Sequence, residues 1–127
     1  MQRHFSKHYS LEEARALLPE VRKWLEALEK LQEQLEPLNK RAASMMGLGD
    51  DIGGDTVNSL VRTLVDCKTI LNEFRTREIQ IKDFSRGLVD FPSLREGREV
   101  FLCWEKDEDD IEFWHDLDSG YTGREKL

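Results

Sequence analysis

A chain of 127 residues, 39 % apolar and 35 % charged, is long enough to bury one modest core, and its three tryptophans and six phenylalanines exclude a disordered polymer. The net charge of −7 has a local origin, because residues 105–118 hold eight acids against one lysine and the remainder is neutral. That acidic end, with no basic stripe elsewhere, excludes nucleic acid as a partner.

Cys67 and Cys103 form no Cys-x-x-Cys pair and no disulfide framework, so both are expected as reduced, buried thiols. The residues from Met1 to His8 lack the apolar core of a signal peptide, and no apolar run approaches spanning length. A cytoplasmic protein without a membrane partner is therefore expected.

Residues 1–9 are polar apart from Phe5 and Tyr9, which suits a short edge strand or no fixed structure. Ser10 followed by Glu13 has the spacing of a capping box, in which each side chain bonds the other's free amide, and predicts a helix from Leu11. Leucines then recur on a heptad. Leu11, Leu18 and Leu25 share one position, Ala14, Val21, Leu28 and Leu35 a second, and Leu17, Trp24, Leu31 and Leu38 an adjacent third. Three apolar positions in seven make a stripe too broad for one neighbour.

The predicted helix covers 10–44 and would be about 40 Å long at 1.5 Å per residue. Pro19 is expected to kink it near Arg15 or to split off a short first helix, and Pro37 to bend or end it. A glycine- and aspartate-rich stretch at 45–55 reads as a helix-to-helix connection. It lacks both the Gly-Lys-Ser/Thr of a phosphate loop and the alternating oxygen ligands of a calcium loop. Capped by Asp55 or Thr56, a second helix over 56–77 follows from the spacing of Val57, Leu60, Val61, Leu64, Cys67, Leu71 and Phe74. The two helices are expected to pair as an antiparallel hairpin.

From Ile79 the apolar period changes to two, and residues 79–116 read as an antiparallel meander. Its turns fall at Ser85-Arg86-Gly87, at Arg95-Glu96-Gly97 and at 106–109, and a tail follows at 117–127. Setting Trp104 opposite Ile111 places Leu102 against Phe113 and Val100 against His115. One face then carries Val100, Leu102, Trp104, Ile111 and Phe113, with His115 at its edge. The other carries Phe101, Cys103 and Trp114 among acids.

No spacing matches a catalytic or metal signature, so candidate chemistry rests on residue types. His115 and Asp118, with Asp83 or Asp90, are possible metal ligands. His115 and Asp116 are not, because neighbours on a strand point to opposite faces. Lys82, Asp83 and Asp90 with Arg86, Arg98 and Arg124 offer an acid, a base or an anion clamp, against the plainer reading of cross-strand ion pairs. Cys103 as a nucleophile needs an exposed thiolate and a neighbouring base, and in this register His115 lies on the opposite face. Trp24, Leu31 and Leu38 on the helix, and Phe101 and Trp114 on the sheet, are candidates for contact with another chain.

Taken in order, Lys82-Asp83, the run from Arg86 to Pro92, the run from Gly97 to Trp104, and Trp114-His115-Asp116-Leu117-Asp118 with Gly120, Gly123 and Arg124 resemble the prokaryotic domain-of-unknown-function family 2203. The opening Ser10-Leu11-Glu12-Glu13-Ala14 with Leu17-Leu18-Pro19 is similar to that family's first helix. One departure is the acidic Asp107-Glu108-Asp109-Asp110, where the family reads Gly-Glu-Pro. The resemblance implies a single cytosolic domain, and because that family is named for lacking an assigned activity, substrate or cofactor, it implies no particular chemistry.

The sequence thus predicts an α+β domain, a long antiparallel helical hairpin packed on a small antiparallel β-meander, most simply as a homodimer. A non-enzymatic interaction module without cofactor is the leading expectation. The alternative is a small-molecule or metal site at the end of the meander using Lys82, Asp83, Asp90, His115, Asp118 and Arg124.

Overall fold

A computed structural model of the chain describes residues 3–47 and 54–127. Two helices, α1 (Leu11–Gly47) and α2 (Asp55–Thr76), precede five strands, β1 (Gln80–Asp83), β2 (Leu88–Arg95), β3 (Arg98–Glu105), β4 (Phe113–Asp116) and β5 (Glu125–Lys126). The strands form one antiparallel sheet in chain order, which makes this an α+β fold. Residues 48–53 of the predicted glycine-rich connection lie outside the described residues, and its first three residues continue α1. By compactness the chain divides into two units, Met1–Lys23 with Glu73–Leu127, and Trp24–Asn72.

In the first unit the sheet is covered on both faces. Tyr9 stacks edge-on against Phe91 at 5.7 Å, and the Arg22 guanidinium lies 4.8 Å from the Trp104 ring centre. Those contacts put the start of α1 on the face that carries Val89, Phe91, Val100, Leu102 and Trp104. Ala14, Leu18 and Val21 form the buried stripe of this helix segment. Arg22 donates to the carbonyls of Lys106 and Glu108, and Arg15 to that of Ile111, which fastens α1 to the long β3–β4 connection. The capping box forms as expected, with Glu13 N–H donating to Ser10 Oγ at 3.1 Å and Ser10 N–H to Glu13 Oε1 at 2.9 Å. No split occurs at Pro19, and α1 also passes Pro37 unbroken. One lost amide donor is outweighed by tertiary anchoring on either side of Pro19.

The opposite face is sealed by the chain's own ends. Phe5 meets Phe101 at 5.4 Å, and the Arg124 guanidinium stacks 3.7 Å from the Phe113 ring centre. The segment before α1 then passes the open edge of β2 beyond β1, where Tyr9 N–H donates to the Pro92 carbonyl at 2.7 Å. That bond shows that Pro92 turns its backbone polar groups away from β3. Its missing N–H therefore interrupts no ladder bond, which explains a proline inside a strand.

Three sequence expectations are corrected here. The β3–β4 register is shifted by one residue: Val100 faces Asp116, Phe101 faces His115 and Leu102 faces Trp114. Ile111 lies outside the ladder and is fully buried. Alternation could not fix the register, since both faces are buried and neither is marked by polarity. Phe101 and Trp114, expected as exposed rings, are 4 % and 8 % exposed. The expected tail at 117–127 contributes a 3₁₀ turn at Tyr121–Gly123 and the edge strand β5, in which Lys126 pairs with Phe113 and Glu125 with Trp114.

In the second unit Ala27, Lys30 and Leu31 of α1 and Asp66, Thr69 and Ile70 of α2 line a shallow groove. Two helices share a single seam. Leu31, Leu35 and Leu38 are accordingly only half-buried, and Val61, Leu64, Val65 and Leu71 of α2 stay exposed.

Candidate functional site

Strand pairing assembles the site. Asp90 lies opposite Cys103 across β2 and β3, and Phe101 opposite His115 across β3 and β4. Paired residues share a face, so Asp90, Cys103, Phe101 and His115 all point to the side away from α1. The one-residue register shift is what brings His115 over to Cys103, the reverse of the placement expected from the sequence. Asp90, Cys103 and His115 are 1 %, 0 % and 2 % exposed.

One donor atom from each of these three residues lies within 4.8 Å of the other two, a nitrogen, sulfur and oxygen set able to hold a metal ion. His115 Nδ1 is 2.7 Å from the carbonyl oxygen of Asp116, which accepts only, so Nδ1 carries hydrogen and donates. His115 Nε2 then faces Asp90 Oδ2 at 2.9 Å. The second carboxylate oxygen, Asp90 Oδ1, is buried and finds no hydrogen-bond partner among the described residues.

Burial disfavours an imidazolium at His115. The bonds to Asp90 and to the Asp116 carbonyl outweigh it and hold the ring above its ordinary value. Burial, with the Asp90 charge second, pushes the Cys103 thiol up to about 12. A buried thiol of that kind lacks the exposed thiolate that a nucleophilic cysteine needs.

Around this set stand further charges in fixed places. Arg124 pairs with Glu108, whose other oxygen accepts from Glu105 N–H at 2.9 Å. Arg124 Nη1 is buried without a partner among the described residues. Lys82 occupies the bulge in β1, with Nζ 5.0 Å from the Phe101 ring centre.

Of the six candidate ligand residues, Asp90 and His115 are in direct contact, and Lys82 and Arg124 lie at the rim. Asp83 and Asp118 do not join them. Asp83 accepts from Ser85 Oγ and Arg86 N–H in the β1–β2 turn, bonds that hold its carboxyl below the usual range, and Asp118 is exposed beyond β4. Asp118 thus stands apart from His115, whose buried neighbours are Asp90 and Cys103.

A second convergence was not expected from the sequence. The Glu99 carboxylate accepts from the backbone N–H of His4 and Phe5 and contacts both the His4 and His8 rings, at 3.1 and 2.9 Å. Its only sequence signal is the pair of histidines in a polar opening segment, with nothing to indicate their common partner.

Fold and site together define an α+β protein with a two-sided antiparallel sheet and a buried Asp-Cys-His set beneath the terminal segments. Residues 7–127 match the model of a family described as Uncharacterized conserved protein (DUF2203), and the chain belongs to that family. No curated protein and no solved structure matches it. Among the described residues no helix is long and apolar enough to cross a membrane.

Proposed function

We propose that the chain is a non-enzymatic interaction module that pairs with a second copy of itself through the outer face of α2. The observation that carries this reading is the run Val61, Leu64, Val65 and Leu71, between 47 % and 55 % exposed, at the helical spacing that places them on one side. Thr63 and Phe74 are the buried residues of this helix, with Val61 and Val65 on the opposite side and Leu64 and Leu71 on the flank between. A solvated helix face ordinarily carries charged residues there.

Two features favour a second copy as occupant. Residues 57–72 contain as charges only Arg62, Asp66 and Lys68, a net charge of +1, so repulsion between identical faces is small. The 22 residues of α2 rise about 33 Å at 1.5 Å each. Helix-to-helix packing over that length buries roughly 1,000 Å² over both copies, the lower end of specific interfaces, which implies a dimer of modest affinity. A two-fold arrangement of two hairpins gives a four-helix assembly, a common solution for helices with a second apolar stripe.

Sedimentation equilibrium on the wild type and on the double variant Val61→Glu/Leu64→Glu tests the reading. The wild type is expected to approach twice the 14.9 kDa chain mass as concentration rises, and the variant to stay at the single-chain mass with unchanged helicity. A variant that associates as the wild type does would place the contact elsewhere and defeat the proposal.

A further inference from the structure

We propose that Asp90, Cys103 and His115 form a mononuclear site for a thiophilic divalent transition ion of the zinc class. The site is independent of pairing through α2.

Three side chains from three adjacent strands place one donor each within 4.8 Å of the others, in a position from which solvent is excluded. Their mixture of imidazole, thiol and carboxylate suits a borderline-soft ion such as zinc, and is unsuited to magnesium or calcium, which prefer oxygen alone.

Donation from Nδ1 to the Asp116 carbonyl turns Nε2 toward Asp90 Oδ2, 2.9 Å away. A proton holds that contact in the free chain, and a metal ion bound by both atoms takes its place. A backbone carbonyl holding the remote ring nitrogen is also the usual outer support of a metal-bound imidazole.

Asp90 Oδ1 is buried beside the cluster and unpartnered among the described residues, and a buried carboxylate oxygen with no donor is costly. A coordinated ion neutralises that carboxylate. Charge also balances: a carboxylate and a thiolate supply two negative charges for one divalent ion, and the nearby Arg124 is already paired with Glu108. On binding, the Cys103 thiol proton and the proton shared by His115 and Asp90 leave to solvent, and no electron transfer is involved. Three protein ligands leave a fourth position for water or another small donor.

The test uses the full chain without a histidine tag. Metal content is measured on protein purified without chelator, and the stripped protein is then titrated with Co²⁺. The expected results are one ion per chain and a thiolate-to-cobalt charge-transfer band that disappears in Cys103→Ala. Loss of an outer hydrogen-bond partner alone weakens metal sites by about 10–100-fold, so Asp90→Asn and His115→Gln, which remove ligands, are expected to weaken cobalt binding by at least roughly 100-fold.

Cys67→Ser and the double variant His4→Ala/His8→Ala are expected to bind as the wild type does, since those residues lie outside the cluster. Folded wild-type protein with neither stoichiometric metal nor a thiolate band overturns the proposal. So does a band that survives Cys103→Ala, or binding that is lost with Cys67 or the N-terminal histidines. Should Cys103→Ala fail to fold, the wild-type titration decides alone.

Discussion

At Glu99 one carboxylate receives two backbone amides and two imidazoles and so fastens the segment before α1 to β3. The His4 backbone bond, followed by that from His8, lowers its value to about 2 from the ordinary 4.5. A carboxyl lowered in the folded state contributes stability that is fully present above its unfolded value and is lost as pH falls through the folded one. Urea midpoints of the wild type are therefore expected to exceed those of Glu99→Gln near neutral pH. The gap should narrow as pH falls from about 4.5 toward 2, and parallel curves would show that Glu99 does not hold the segment. Neither histidine carries a spacing signal toward Glu99, because the partners stand more than ninety residues apart and meet only when the segment folds over the sheet. Asp90 and His115 were legible as candidates by residue type. Their union with Cys103 was not, since it depends on a register that two buried faces leave unmarked.

The elements most clearly written in the sequence are those whose signals are local. The Ser10–Glu13 box starts α1 where its spacing requires, and Ser10→Ala is expected to cost about 1 kcal/mol in chemical denaturation. The turn between β2 and β3 is equally local. Glu96 and Gly97 both have positive φ, 53° and 76°, the two-residue pattern that matches the twist of a hairpin. A methyl group at Gly97 would meet nothing within 4 Å, so Gly97→Ala isolates the backbone cost. A loss of about 1 kcal/mol is expected, and none would contradict the assigned turn. The strand β5 had no comparable signal, because Glu125 and Lys126 join the sheet only through backbone pairing with β4. At Pro19 a strong local signal was overridden, with Arg15 and Arg22 anchored to the β3–β4 connection on either side.

For the molecule as a whole, the aromatic excess of the last third does not signal a docking face. The chain uses Phe5 and Arg124, from its two ends, to close over the sheet. The unmet apolar surface lies instead on α2, where a two-helix unit has one seam and more apolar side chains than that seam accommodates. Trp24, Leu31 and Leu38, the helix positions expected from the sequence to meet another chain, are half-buried, while Val61, Leu64, Val65 and Leu71 of α2 are more exposed. Heptad counting ranks positions along one helix and does not reveal which face its partner takes. Light scattering of the wild-type chain over a wide concentration series reads association through α2 without any substitution. A weight-average mass that climbs from 14.9 kDa toward twice that value is the predicted result, and a constant single-chain mass at the highest concentration would contradict it.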